Sequence, residues 1–406
     1  MVIAEKKPET ETASHVSTAP PRPERAVAPT VLQVLPSLGV SGGVERTAID
    51  LTAALTRRGW RALVASAGGP LEHEIRRAGG EHFTLPLDSK NPLRMSANAR
   101  HLAELIRAQR VDVVHARSRA PAWSAHAAAR RTGVLFVTTF HGTYGHGGAL
   151  KRRYNRIMLK GERVIANSAF IGAHIRNVYG MAEDRLVVIP RGVDVARFDP
   201  EAVSNERMIT LSTAWRVPDG RPVVLLPGRI TRWKGQEVLL DALVALGRPD
   251  VFALLVGDDQ RRPRYRAELL RKIGALGLEG QVRLIGPCRD MPAAYKLADV
   301  VVSASTDPEA FGRVAVEAQA MGRPVIATDH GGSRETVIPG ATGWLVPPGD
   351  AAALAGALER ALRLGPAARA ELAAEARHHV LERFTVTHMT EATMAVYSDL
   401  LAWRRG

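Results

Sequence analysis

The chain has one cysteine, Cys288, in 406 residues. A lone thiol excludes an intramolecular disulfide and any cysteine-built zinc site. It also makes the cytosol the expected compartment. No stretch of about 18 apolar residues occurs, so no transmembrane helix is expected. Met1 to Pro29 lacks an apolar core behind a basic start and lacks apolar periodicity. Rich in Pro, Ala, Thr and Glu, it reads as a disordered tail rather than a signal peptide. Aromatic residues make up 5% of the chain and do not interleave with basic residues in a base-stacking pattern. With no zinc finger or RNA-binding signature either, nucleic acid ranks last among candidate partners. No Asp-x-Asp is present. Asp258 and Asp259 are adjacent, and adjacent side chains on an extended chain point apart, so no essential metal is expected.

What the chain does have is length, charge and alternation. Its length suits two α/β domains, and 46% hydrophobic residues are enough for two cores. Lys and Arg number 55 against 41 Asp and Glu, a net charge of +14 that favours anionic substrates or an anionic membrane. Short runs at Val31–Leu35, Ala62–Ser66, His82–Leu85, Val111–His115, Val134–Phe140, Val164–Ala166 and Leu186–Ile189 read as buried strands with helices between them. The pattern resumes at Pro222 with further strands at Val251–Gly257, Val282–Gly286, Ala298–Ser303 and from Val325. Such alternation predicts doubly wound, Rossmann-like parallel sheets that bind ligands beyond the carboxyl ends of their strands. The expected division is a tail over 1–29, a first domain over 30–205, a linker over 206–220, a second domain over 221–385 and a closing helix over 386–406.

One stretch organises the rest: Asp307-Pro-Glu309-Ala-Phe311-Gly312-Arg313-Val314-Ala-Val-Glu317, followed by Gly322-Arg-Pro324. It reads as loop, helix, then strand. Glu309 precedes the helix and Glu317 lies two turns inside it. The helix start at Gly312 to Val314 offers unpaired backbone N–H groups and the positive end of a dipole. N–H groups suit a phosphate, and carboxylates suit sugar or ribose hydroxyls. Earlier, Gly39, Gly42 and Gly43 sit between strand and helix as an anion-binding loop would, without the G-x-G-x-x-G spacing of dinucleotide sites. Arg229 and Lys234 share one loop after a strand. At about 4 Å and an effective dielectric near 20, each would contribute on the order of 4 kcal/mol toward a diphosphate before desolvation. His141 ends a strand and opens the Gly-rich stretch Gly142-Thr-Tyr144-Gly145. A basic cluster, Lys151-Arg-Arg-Tyr-Asn-Arg156, is joined by Arg117, Arg119, Arg130 and Arg131. Together they read as a surface patch that could attract an anionic inner membrane.

Glu309-x7-Glu317 with Phe311-Gly312 resembles the donor motif of retaining family-4 glycosyltransferases of the GT-B fold. Ile189-Pro-Arg191-Gly-Val-Asp194 resembles the domain-junction signature of the same family, with Arg191 where Asn is usual. The resemblance implies two Rossmann-like domains facing across a cleft, with the last helix crossing back onto the first. It implies a nucleotide-sugar donor, UDP before GDP, and no metal. Residue by residue it places Gly42 and Gly43 under the donor phosphates, with Arg229, Lys234 and the N–H groups of Gly43, Arg313 and Val314 holding the diphosphate. Glu317 would accept from the ribose, while Arg289 and Met291 would lie near the base. Glu309, Phe311 and Gly312 would hold the sugar by side chain or backbone, and His141 would face it from across the cleft. The Glu-Ala-Phe-Gly-Arg-Val and Phe-His-Gly-Thr-Tyr segments are similar to those of envelope-polysaccharide and lipopolysaccharide-core transferases. The acceptor is accordingly expected to be a glycan or a lipid-linked glycan. Two rivals stand beside this reading: a nucleotide-sugar epimerase of the same fold, and a non-enzymatic basic protein binding anionic lipid or nucleic acid by charge alone.

Overall fold

The computed structural model describes residues 28–39, 43–145, 147–260 and 263–405. Two parallel sheets dominate. The first contains β1 (Thr30–Val34), β2 (Arg61–Ser66), β3 (Glu81–Thr84), β4 (Val113–Ala116), β5 (Leu135–Phe140), β6 (Arg163–Ala166) and β7 (Leu186–Val188), in the order β3-β2-β1-β4-β5-β6-β7. Around it lie α1 (Gly43–Arg57), α2 (Glu72–Arg77), α3 (Pro92–Ala108), α4 (Arg119–Thr132), α5 (Ala149–Asn155) and α6 (Ala169–Tyr179). Strands buried on both faces need apolar residues at successive positions, and β1, β4 and β5 are buried along their whole length. Strand order reverses between β1 and β4, which opens a crevice at their carboxyl ends.

After α7 (Asn205–Ala214), the second sheet follows as β8 (Val223–Pro227), β9 (Phe252–Val256), β10 (Val282–Ile285), β11 (Val300–Ser303), β12 (Val325–Thr328) and β13 (Trp344–Val346), in the order β10-β9-β8-β11-β12-β13. Its helices are α8 (Gln236–Leu246), α9 (Pro263–Ala275), α10 (Met291–Leu297), α11 (Arg313–Ala320), α12 (Ser333–Thr336), α13 (Ala351–Leu362) and α14 (Pro366–Arg383). The stretch expected as a linker, in which a short helix was possible, carries α7. Phe198, Val203 and Trp215 enter the core shared by β8, β9, β11 and α11, and α7 packs on α10.

The chain passes between the two halves at one place. Val193 pairs with Thr385 in a parallel bridge; its N–H donates to the Phe384 carbonyl (2.8 Å) and its carbonyl accepts from Val386 N–H (3.0 Å). Beyond the crossing, α15 (Val386–Arg405) returns to the first half, where Met389, Met394, Tyr397 and Leu400 share a core with Val31, Leu51 and Leu55. The deepest polar contact of this helix is between Tyr397 and His115, both fully buried. The Tyr397 hydroxyl bonds His115 Nδ1, and His115 Nε2 bonds Thr139 Oγ1 at 2.7 Å. Burial, with the nearby Arg117 charge, holds the His115 ring well below the ordinary histidine pKa, so it stays neutral. Tyr397→Phe keeps the ring but strands a buried nitrogen, and should lower stability by about 1–3 kcal/mol in urea unfolding of the full chain.

Candidate active site

The β8–α8 turn and the loop after β11 build one wall of the cleft. Gly235 takes φ +71°, and a Cβ there would lie 1.8 Å from the Ala304 carbonyl oxygen, so the two loops touch backbone to backbone. Thr306 N–H donates to the Trp233 carbonyl at 2.8 Å. This contact brings the Lys234 ammonium onto Glu309 Oε1, which also accepts from Ser305 Oγ (2.6 Å). The Lys234 and Glu309 side chains are only 13% and 15% exposed. Burial would push the Glu309 carboxyl up, but Lys234, then Ser305 and Arg229, outweigh it and hold the group below the usual carboxylate value. Arg229 is exposed, its guanidinium 5.6 Å from the centre of the Trp233 ring.

Gly312 adopts φ +89° at the start of α11 and has no side chain to cap the helix. The Arg313 and Val314 N–H groups, at the first two helical positions, therefore lack intrahelical partners. Arg313 reaches back to Glu317 (Nε to Oε1, 3.0 Å), which also accepts from the Tyr295 hydroxyl (2.7 Å). The carboxylate beside it raises the Arg313 pKa further. The Phe311 ring does not reach the cleft. It is buried in the core, edge-on to Phe384 at 5.6 Å, so this residue can offer a ligand only its backbone. Arg289 is exposed, with its carbonyl accepting from Arg197 (3.4 Å), while Met291 starts α10 half-buried against the core.

The opposite wall comes from the carboxyl ends of the first sheet. His141 follows β5, and its Nδ1 accepts from Arg191 Nη2 at 2.9 Å. His141 Nε2 is buried with no hydrogen-bond partner among the described residues. Burial first, then the charges of Arg191 and Arg117 with the neighbouring His115, holds this ring well below the ordinary histidine value. The Arg191 guanidinium lies against Gly43, where a Cβ would be 2.1 Å from Arg191 Nη1 and 3.3 Å from Arg313 Nη1. Gly43 at the α1 N-terminus, Arg191 and the second half's Arg313 thus converge on one spot. Gly42 lies outside the described residues. Glu45, in the first turn of α1, has a buried Oε2 with no partner among the described residues, and burial raises its pKa against the pull of Arg191 and Arg313. Among the described residues, no group of three or more His, Cys, Asp or Glu is placed to hold a metal ion.

Comparison with known proteins bears on the family and the fold. Residues 209–379 match the family described as glycosyl transferases group 1, and residues 41–197 match glycosyltransferase family 4. A solved glycosyltransferase of Rickettsia africae is 38% identical, with a TM-score of 0.86 over 93% of this chain and 99% of that one. The chain belongs to glycosyltransferase family 4. Its fold is GT-B. Anabaena HepE, solved with UDP and glucose, is 27% identical with a TM-score of 0.80, covering 91% of this chain and 99% of that one. The D-inositol 3-phosphate glycosyltransferase of Jonesia denitrificans is 34% identical over 58% of this chain and 56% of its own length. The match thus spans a little over half of that curated relative.

Several residues of this family-4 chain escaped the sequence reading or sit elsewhere than it implied. Arg117 is not part of a surface patch: it is buried, its Nε donating to Gln33 Oε1 at 2.8 Å. Arg119 is half-buried, 4.3 Å from the centre of the Tyr144 ring, and donates to Asn155. Ser305, Tyr295 and Glu45 carry no motif, although Glu45 directly follows Gly42-Gly43-Val44. Glu335 makes a contact that only the folded chain reveals. Its carboxylate accepts from Ala169 N–H (2.7 Å) and Phe170 N–H (2.5 Å) at the start of α6, in the other half of the molecule. Beside it, Ser168 Oγ donates to the Ala310 carbonyl at 2.5 Å. Gly332 N–H in turn holds the Glu309 carbonyl (2.8 Å), which links this contact to the loop carrying Glu309. A carboxylate at a helix N-terminus contributes about 1–2 kcal/mol in favourable geometry. Glu335→Ala should therefore shift the balance toward open forms roughly 5–30-fold. Small-angle scattering should show a larger radius of gyration for that variant without ligand.

Proposed function

We propose that the chain is a retaining transferase that moves a hexosyl group from a nucleotide-sugar, UDP-sugar before GDP-sugar, to a glycan or lipid-linked acceptor in envelope-polysaccharide or lipopolysaccharide synthesis. The observation that carries this reading is the meeting of Lys234 with Glu309 on one wall, together with the convergence of Gly43 and Arg191 on Arg313 from the other half. Cations and helix N-termini from both halves suit a diphosphate, and they can stabilise the charge that grows on it as it leaves. The UDP and glucose of the Anabaena relative support the choice of donor. Arg229, Lys234 and the N–H groups of Gly43, Arg313 and Val314 hold the diphosphate in this reading, with Gly42 beside them. Glu317 takes the ribose, Arg289 and Met291 flank the base, and Glu309, the Phe311 backbone and Gly312 take the sugar. His141 faces the sugar from the other half. No carboxylate serves as a covalent nucleophile: the acceptor attacks on the face the diphosphate leaves, and the departing phosphate takes its proton. Closure of the two halves keeps water out.

The test begins with thermal unfolding in UDP, GDP and their sugars, where the bound nucleotide raises the melting temperature by linkage. UDP should stabilise more than GDP, and EDTA should leave transfer unchanged. Lys234→Ala and Glu309→Ala should each lower kcat/KM for transfer by about 10²–10³. An isomerised sugar from UDP-sugar alone would overturn transferase in favour of epimerase. The acceptor panel sets lipopolysaccharide-core and lipid-linked glycans against D-inositol 3-phosphate, the acceptor named for the Jonesia relative. Turnover on the inositol phosphate alone would overturn the envelope assignment.

The same reading places the enzyme in the cytoplasm, at the inner face of an anionic membrane. Among the described residues no helix is long and apolar enough to cross a membrane. Lys151, Arg153 and Arg156 are exposed beside Leu150, which is 85% exposed, and Arg130 and Arg131 are exposed at the end of α4. Each such cation contributes about 1 kcal/mol near an anionic surface. Binding to vesicles containing phosphatidylglycerol should fall with salt and weaken by about tenfold in Lys151→Ser/Arg153→Ser. Binding that ignores both would remove the membrane from the reading.

A further inference from the structure

We infer that Arg191 is the positioning residue that decides which nitrogen of His141 carries the proton, so that Nδ1 is left bare and Nε2 carries the N–H. A guanidinium has donors and no acceptor. The 2.9 Å contact between Arg191 Nη2 and His141 Nδ1 therefore requires Nδ1 to be the bare nitrogen. In the neutral ring the proton then sits on Nε2, the atom that is buried and has no partner among the described residues. A buried N–H without a partner costs about 1–3 kcal/mol, a cost that an acceptor reaching this atom would offset.

Asparagine, the residue usual at position 191 in the signature this segment resembles, carries both a donor and an acceptor and would permit either tautomer. Arginine permits one. It also adds a charge that opposes a second proton on the ring. The groups facing His141 are few. Arg191 comes from the stretch after β7, Arg117 from the end of β4 and His115 from within β4, and the Tyr144 hydroxyl accepts from the His141 backbone N–H at 3.5 Å. Burial and the two cations oppose protonation. Arg191 is itself surrounded by protein and by Arg313 and Arg117, which lowers its pKa to about 10, still charged at neutral pH.

The tautomer follows from the protein alone; its use toward a sugar hydroxyl rests on the donor reading above. The experiment is long-range proton–nitrogen NMR on the full chain labelled at histidine, with His141→Asn to assign the signal. The wild type should show His141 with Nε2 protonated and Nδ1 bare, and should take its second proton only well below the ordinary histidine value. Arg191→Lys, again a donor without an acceptor, should keep that tautomer. Arg191→Leu should give mixed tautomers and a titration moved up toward the ordinary value near 6.5. In donor turnover, Arg191→Leu should gain an acidic limb that the wild type lacks, with kcat down about tenfold, and Arg191→Lys should recover most of it. A wild-type ring protonated on Nδ1, or an Arg191→Leu spectrum unchanged in tautomer and titration, would overturn the proposal. If Arg191→Leu does not fold, the wild-type and Arg191→Lys spectra decide it. These spectra stand whether or not UDP-sugar proves to be the donor.

Discussion

The structure depends on where the chain crosses between its two sheets. Val193 and the Phe384–Val386 segment are bonded side by side, so both passages occur at one narrow place. Because every strand in each sheet is parallel, all catalytic-end loops of a sheet emerge on one side. A single paired crossing, with α15 packed back on the first half, then turns the two sets of loops toward each other. Everything in the cleft follows from that constraint: Gly43 can meet Arg313, and Ser168 can meet Ala310, only across it.

Charge in this cleft is arranged in unequal pairs. Lys234 is matched by Glu309, and Arg313 by Glu317, both within the second half. Among the described residues Arg191 has no comparable carboxylate. Its neighbours are Gly43, a histidine and two further arginines, and Glu45 influences it without a direct bond. A guanidinium so placed keeps its charge at a cost in solvation, and an anion entering between the halves offsets that cost. The same excess explains why His141 stays neutral: burial and positive neighbours act in one direction.

Much of this was legible in the chain. The strands stood out because a strand covered on both faces must be apolar at consecutive positions, and Val300-Val-Val-Ser303 or Val31-Leu-Gln-Val34 has few other uses. Glu309, Gly312 and Glu317 were legible because a loop and the helix after it are local, and spacing fixes which residues share a helix end. Arg117 was misread because its burial depends on Gln33, 84 positions away, and no spacing rule reaches that far. The ring of Phe311 was open to either reading; its place in the core is set by Phe384, which arrives from another helix end.

Sequence alone determined two doubly wound sheets, the glycine-bearing turns between strand and helix and the carboxylates flanking α11, since periodicity, turn residues and helix ends act over a few positions. Tertiary structure alone decided which of these meet. The Arg191–His141 bond joins residues 50 apart, and the Glu335 contact with Phe170 joins residues 165 apart. Pairings of that kind are set by how two sheets are docked, a balance of packing over many side chains, and no short stretch of chain encodes it.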